Sequence, residues 1–555
     1  MTEMILPGVS IEVRPEGLIV PGRVSVGNLG VVGTASKGPV DQPVILGSYA
    51  EARERFGPYD PFVDGKSREL TLVRALELAF SHGATTVIAV RVASDTASKA
   101  AFLLDSASGP CCRLEAKSKG EWGNAIEVNV WEAEEHAYVR NEEHSGGGPV
   151  TLNYTPVVES ARNRIEVFED ATRRTRLPQI VYGAAPSKGQ VSIDKNSGAL
   201  TFHAEEIPTA ADKVIASYVV DRSASVKVTL RLDGTEEIYT VASGKDLATD
   251  IEALSSLVDA KEEANSAEPP TKFDTADEFR LFGTGSNARG DNGAAGADYR
   301  KGLEKLLNEP AHIIVAAGQG HETIGADLTA HCQTASSDQN KRERIGVVGS
   351  DVDEKLDDIL GHSLDSDRIV FTAPGMRAMD SASGKEVTLP GAYTAAAVAG
   401  LMASYSAQVS LTNKPLAIRG LEQRYTNAEL TRLLQARVLV LQEKLGFRIV
   451  KGITTSTNTA WHQITTRRIV DFAKFGVRSA ANPYIGLLNN ERVRGALRAT
   501  INSFLAEMVN DEKLVSYELE VTATREEERQ GIARVTMVLR PTFSIDFIKV
   551  TMFLE

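Results

Sequence analysis

A chain of 555 residues is too long for one ordinary hydrophobic core, so two to four domains are expected. Its 42% hydrophobic and 24% charged content suit a soluble globular protein, and a net charge of −13 argues against general nucleic-acid binding, which needs a basic surface. Three cysteines, two of them adjacent at Cys111 and Cys112, make no disulfide framework. No basic start followed by an apolar run marks a secretory signal, and the most apolar stretch, 392–402, is too short to span a bilayer, so no membrane insertion is expected.

In chain order, Val9-Ser-Ile-Glu-Val-Arg14 alternates apolar and polar residues between Pro7-Gly8 and Pro15, the pattern of a short strand with extended entries. Residues 24–33 form a small-residue apolar strand. A helix over 48–57 has Ser48 as N-cap and Gly57 as stop, and a longer one over 69–82 carries Leu70, Val73, Leu76 and Phe80 on one face. The near-continuous apolar strand 85–92 follows, of the kind buried in parallel sheets. Strand, helix, strand is the opening of an α/β domain.

From 111 to 266 helical periodicity nearly vanishes, and short alternating runs such as 125–131, 164–168 and 225–232 are separated by turns, including Asp233-Gly234. This is an inserted all-β region with one helical exception, 246–263. After the glycine-rich loop 283–293 the α/β pattern resumes: helix 298–307 and strand 312–316, helix 322–335 and strand 344–349, helix 352–360 and strand 368–373. A small-residue helix, 391–406, closes a doubly wound sheet split by the insertion. The C-terminal part is α+β, with helices at 427–445, 461–477 and 489–509 and a strand at 447–453. It ends in alternating strands, 532–541 and 545–554. A strand with no neighbour leaves a row of backbone donors and acceptors unpaired, so the two terminal strands point to arms that pair with other copies of the chain.

Little in the sequence carries chemistry. The loop 283–293 has phosphate-loop composition but lacks the Lys-Ser/Thr ending, and no acidic partners stand at cation-ligand spacing around Asp291. His331 and Cys332 are adjacent on a helix and point apart; no Ser sits in a G-x-S-x-G elbow. No cofactor is expected. The strongest signal is charge segregation: between Pro415 and Thr500 fourteen Arg or Lys face five acids. Arg467, Arg468, Lys474 and Arg478 share one helix; Arg492, Arg494 and Arg498 share the next. Such a surplus is a solvated face with acidic partners elsewhere in the fold, a contact to an acidic protein surface or, third because aromatic interleaving is sparse, a contact to nucleic acid.

Several short motifs occur in one order along the whole chain. They are Pro7-Gly8-Val9 with Ile11-Glu12-Val13, Val31-Val32-Gly33-Thr34-Ala35 with Lys37-Gly38-Pro39, and Phe56-Gly57. Gly120-Glu-Trp-Gly-Asn124, Asp298-Tyr299, Arg467-Arg468-Ile469-Val470-Asp471 and Asn489-Asn490-Glu491 follow. In this order the chain resembles the contractile tail sheath protein family of phages and phage-like injection machines. The loop 283–293 only approximates the family's Gly-Gly-x-Asp-Gly pattern, and paired type VI secretion sheath subunits are organised differently.

The resemblance implies a doubly wound α/β domain of subtilisin-like topology without protease function. With the pattern above, the expected organisation is an arm over 1–22, an α/β core over 23–105 and 275–410, and an inserted β-sandwich or barrel-like domain over 106–274. An α+β assembly domain over 411–530 and an arm over 531–555 complete it. The resemblance further implies stacked hexameric rings of this chain around an inner tail tube protein, with baseplate and tail terminator proteins as other partners. The setting would be a virion tail assembled in the host cytoplasm. Val9, Ile11, Val13, Ile545, Phe547, Val550 and Met552 are then the expected inter-subunit strand contacts. Arg467, Arg468, Lys474, Arg478, Arg492 and Arg494 are the expected tube contacts. An α/β hydrolase, and a non-contractile tube or baseplate protein, are the alternatives.

Overall fold

Apolar runs that lack polar alternation need cover on both faces, and in this chain they assemble into one central sheet. The computed structural model describes residues 27–63 and 70–553. The sheet strands are β1 (Leu29–Gly33), β2 (Pro43–Leu46), β3 (Val87–Arg91), β4 (Ile313–Gly320), β5 (Ile345–Gly349), β6 (Ile369–Ala373), β7 (Leu439–Glu443) and β8 (Phe447–Ile449). Their spatial order is β2-β3-β1-β4-β5-β6-β7-β8. Every pairing from β3 to β7 is parallel, and the two edge pairings are antiparallel. Winding runs one way from β1 to β3 and the other way from β4 onward, so the sheet is doubly wound.

Helices cover both faces. Helices α1 (Tyr49–Phe56), α2 (Thr71–Ser81) and α5 (Gly391–Ser404) pack over Leu29, Val31, Ala89, Val315 and Val347. On the other side α3 (Tyr299–Leu306), α4 (His321–Ala335) and α6 (Asn427–Gln435) cover Val32, Ile88, Ile314, Val348 and Phe371. The caps are where the sequence places them: Ser48 accepts from the Glu51 amide, Asp298 from Arg300, and Gly57 ends α1 at φ 77°.

In open α/β sheets the crevice where winding reverses is the usual ligand site. Here it is filled. Thr34 Oγ1 lies 3.2 Å from Thr71 Oγ1, which lies 2.8 Å from Tyr299 Oη, and that hydroxyl donates to the Ala317 carbonyl at 3.2 Å. Gly318, at φ 68°, lets the backbone pass close to Thr71 and the Tyr393 hydroxyl.

Three expectations change. Helix 427–445 stops at Gln435; Arg437 takes a left-handed backbone, φ 67°, and Leu439–Glu443, whose first three residues are buried, adds to the sheet as β7. The central sheet therefore continues past residue 410, because the apolar run 438–441 is buried where it lies beside β6. Helix 246–263 is Gly244–Leu254, capped by Ser243, and Val258–Glu262 is a strand paired with Gly109–Ala116.

The inserted region holds two cores and not one. Phe102, Leu114, Val128, Val228, Tyr239, Ile251 and Phe282 share the first. Nested between its strands Glu127–Glu132 and Val226–Leu232, residues 137–220 build the second around Val139, Ile165, Val191, Val214 and Tyr218. Short alternating strands look alike in sequence, and only long-range pairing separates them.

The loop 283–293 is the seam between insertion and core. Asn124 exchanges hydrogen bonds with the backbone of Gly290 at 2.8 and 2.9 Å, and Asn287 Oδ1 accepts from the Leu103 amide at 3.0 Å. Buried Arg91 donates to the Gly38, Lys119 and Asn292 carbonyls. The Gly-rich composition thus serves close backbone approach.

Candidate assembly interface

The C-terminal unit is made by α7 (Ile464–Ala481) and α8 (Glu491–Asn510) laid over the hairpin-like pair β9 (Leu514–Thr522) and β10 (Arg534–Pro541). Ile469, Ala473, Leu497, Ile501, Leu505 and Met508 form its core, with Tyr517, Leu519, Val521, Val535, Met537 and Leu539 on the inner face of the strands. Phe472 and Phe504 stack with ring centroids 5.9 Å apart, and the Phe504 ring occupies the space a side chain at Gly476 would need. Asn490 caps α8 by accepting from Val493.

The sheet has only two strands, so among the described residues both outer edges lack a strand partner. Two-stranded sheets are marginal in water by themselves. The chain then runs through 542–553 without forming a regular element. A strand needs a mate, and this stretch has none among the described residues. Its apolar side chains stand in solvent: Ile545 is 79% exposed, Phe547 80%, Val550 74% and Met552 85%. The carboxylate of Asp546, 12% exposed, turns inward there, with half-buried Ser544 donating to it. Val9, Ile11 and Val13 lie outside the described residues.

The basic residues are mostly internal. Arg467 is buried, with its guanidinium 2.8 Å from Asp367, 2.7 Å from Asp471 and over the Trp461 ring at 4.3 Å. Asp471 also receives both ends of the Arg368 guanidinium, at 2.8 and 3.0 Å. Arg468 is buried and donates to the Tyr405 carbonyl at 2.9 Å; burial pushes its pKa down to about 10. Lys474 and Arg478 both meet Glu343, at 3.0 and 2.5 Å, and Arg494 meets Glu528 at 3.0 Å. Arg467 and Arg468 are therefore cross-links between α7 and the rest of the chain and not surface charges. Asp471 stands four residues on in the same helix, within reach of helix spacing, but Asp367 and the Tyr405 carbonyl sit far off in sequence. Arg492 and Arg498 are exposed and carry no ion pair among the described residues.

Sequence spacing also missed two buried histidine networks. Arg344 donates to His331 Nε2 at 2.9 Å, and burial followed by the Arg344 charge pushes the His331 pKa down to about 3. His321 Nε2 lies 2.8 Å from Glu354 Oε1, and Glu354 Oε2 accepts from the Asp351 amide at 2.8 Å. Burial opposes a charged His321, but the Glu354 hydrogen bond and charge outweigh it and raise the pKa. These contacts pin the loop after β5 onto the start of α4. Among the described residues no helix is long and apolar enough to cross a membrane.

A filled switch-point crevice, a two-edged sheet without mates and an apolar strand-like stretch in solvent define a chain with unfinished strand pairing. Residues 292–455 match the phage tail sheath protein central domain, and residues 456–555 the phage tail sheath C-terminal domain. Residues 292–555 thus carry the two matched domains of the phage tail sheath protein family. The tail sheath protein of Mycobacterium phage Bxz1 is 25% identical over 266 residues, which are 46% of this chain and 45% of that protein. The chain thus spans under half the length of this curated relative. In fold it is similar to the sheath tail protein of Desulfitobacterium hafniense, at TM-score 0.54 and 13% identity over 96% of this chain and all of that one. A sheath tail protein of Listeria innocua gives TM-score 0.56 and 13% identity over 93% of this chain and 95% of that one.

Proposed function

We propose that the protein is the structural subunit of a contractile tail sheath, polymerising as stacked hexameric rings around an inner tube and contracting to drive that tube through a cell envelope. Its doubly wound core, of subtilisin-like topology, serves as a scaffold and not as a catalyst. The observation that carries this reading is the exposure of Ile545, Phe547, Val550 and Met552 beside a sheet of the same unit with two open edges. A strand lacking a mate and an edge lacking a strand are complementary when they sit on different copies. Main-chain ladders between copies, joined to each body by irregular chain, let whole subunits rotate without breaking the links. Contraction then exchanges one packing of the mesh for another of lower free energy, with no nucleotide required.

The N-terminal strand Val9–Val13 would join the same sheet. The inner tube, baseplate and tail terminator proteins are the remaining partners, and the particle is a phage tail or a phage-derived injection machine, assembled in the bacterial cytoplasm. For the tube-facing surface the exposed Arg492 and Arg498 replace Arg467 and Arg468, beside the apolar loop bearing Ile485 and Leu488. Negative-stain microscopy of the purified protein tests the reading: long helical sleeves are expected, and removal of residues 1–20 should leave folded monomers. Sleeves that persist without that segment would overturn the arm model.

A further inference from the structure

The residues around Asp546 are arranged inside out. Ile545 and Phe547 point to solvent while the carboxylate between them turns inward. Burying a carboxylate is unfavourable unless it is paired and hydrogen-bonded. Asp546 is both. Lys451 Nζ lies 3.4 Å from Oδ2, Gln463 Nε2 donates to the same oxygen at 3.5 Å, and Thr412 and Ser544 hydroxyls donate to Oδ1 at 3.4 and 3.2 Å. Three of these partners come from one place in the fold. Lys451 follows β8 at the edge of the central sheet, Gln463 directly precedes α7, and the Thr412 hydroxyl accepts from the Gly452 amide at 3.2 Å. The distances are at the long end for hydrogen bonds, so this is a polar seat held by several weak contacts and a charge pair. Lys451 Nζ also lies 5.6 Å from the centre of the Phe547 ring, over the point where the chain leaves the seat.

We propose that Asp546 is the fixed root of the C-terminal arm. Its carboxylate stays seated on Thr412, Lys451 and Gln463 of its own chain, while residues 547–553 cross to an open strand edge of a second copy. The inference rests on the arm reading above and adds what sets the arm's geometry. Because the seat joins the last sheet strand to the first turn of α7, a seated Asp546 measures strand register in the neighbour from the subunit's rigid core. In a strand over 547–553 Ile548, Val550 and Met552 share one side, and a slip of one residue would put Lys549 and Thr551 in their place. The seat thus supplies register, and the exposed apolar side chains supply the burial.

Zero-length carbodiimide coupling tests the root directly, since Lys451 and Asp546 are within reach of an amide link. Monomers and sleeves assembled from mixed light and isotopically heavy chains are coupled and analysed by mass spectrometry. The Lys451–Asp546 link is expected within one chain in both samples, and its loss from sleeves, or its appearance between light and heavy chains, would overturn the proposal. Asp546→Lys is expected to abolish ordered sleeves, and adding Lys451→Asp to restore them; unaltered sleeves with Asp546→Lys alone would also overturn it. Removing residues 547–555 separates the two ideas, because sleeves formed without them would refute the arm reading itself, whatever the coupling experiment shows.

Discussion

The central sheet and the C-terminal strand pair are built from similar apolar residues, yet they end in opposite states. In the sheet, Val31, Val315 and Val347 have α2 and α5 on one side, while Val32, Ile314 and Val348 have α3 and α4 on the other. In the C-terminal unit, Leu519 and Met537 are covered on one side by α7 and α8, and no strand among the described residues pairs with the outer edges of β9 and β10. A sheet wrapped on both faces is complete within one chain. A two-stranded sheet with a solvent-exposed apolar continuation is half of something.

That contrast can be broken from either side. The largest effect should come from deleting residues 547–555: all assembly is expected to be lost, seen as absent sleeves, with thermal unfolding of the monomer unchanged. A lowered Tm would mean the arm belongs to its own subunit after all. Next, Asp471→Ala strips Arg368 and Arg467 of their carboxylate in a buried setting. Breaking such a pair costs about 3–5 kcal/mol, to be read from denaturant midpoints of the monomer. Phe371→Ala opens a void among α4, α6 and the sheet and should cost about 3–5 kcal/mol by the same measurement.

A smaller, pH-dependent loss is expected from His331. Its folded pKa, about 3, lies below the ordinary value of 6.5, so protons bind the unfolded chain first. Stability is full above about pH 6.5 and falls as pH drops from there toward 3, by up to a few kcal/mol in all. Thermal melts from pH 8 to pH 4 should show the decline, and His331→Asn should flatten part of it. The smallest effect is predicted for Phe547→Ser, where the ring is already in solvent: monomer stability should change by less than about 0.5 kcal/mol while sleeve formation weakens.

Much of this was legible in the residues. Alternation at 532–541 gives a strand, and Ile545, Phe547, Val550 and Met552 of the next alternating stretch are left in solvent. Ser48, Asp298 and Asn490 announce helix starts, and the unbroken apolar runs announce strands covered on both faces. These signals are local: each depends on residues within one or two turns, and hydrophobic periodicity reports which side of an element is apolar.

Other features were settled only by tertiary packing. Arg467 and Arg468 had the spacing of a basic surface stripe, but Asp367, Asp471 and the carbonyl of Tyr405 turn them inward. Residues 137–220 form their own core because Lys213–Val220 pairs with Ala137–Ser145, a choice between near-identical strands. The run Leu439–Glu443 became a sheet strand because β6 offered it an open edge. Asp546 is one acid among many until Thr412, Lys451 and Gln463 converge on it. By itself the sequence determined which segments are apolar on which side, and so that this chain carries strand-like apolar surface. The tertiary structure decided which charges are cross-links, which strands are mates and where the arm is rooted, because those depend on groups brought together from as far as 63 to 134 positions away.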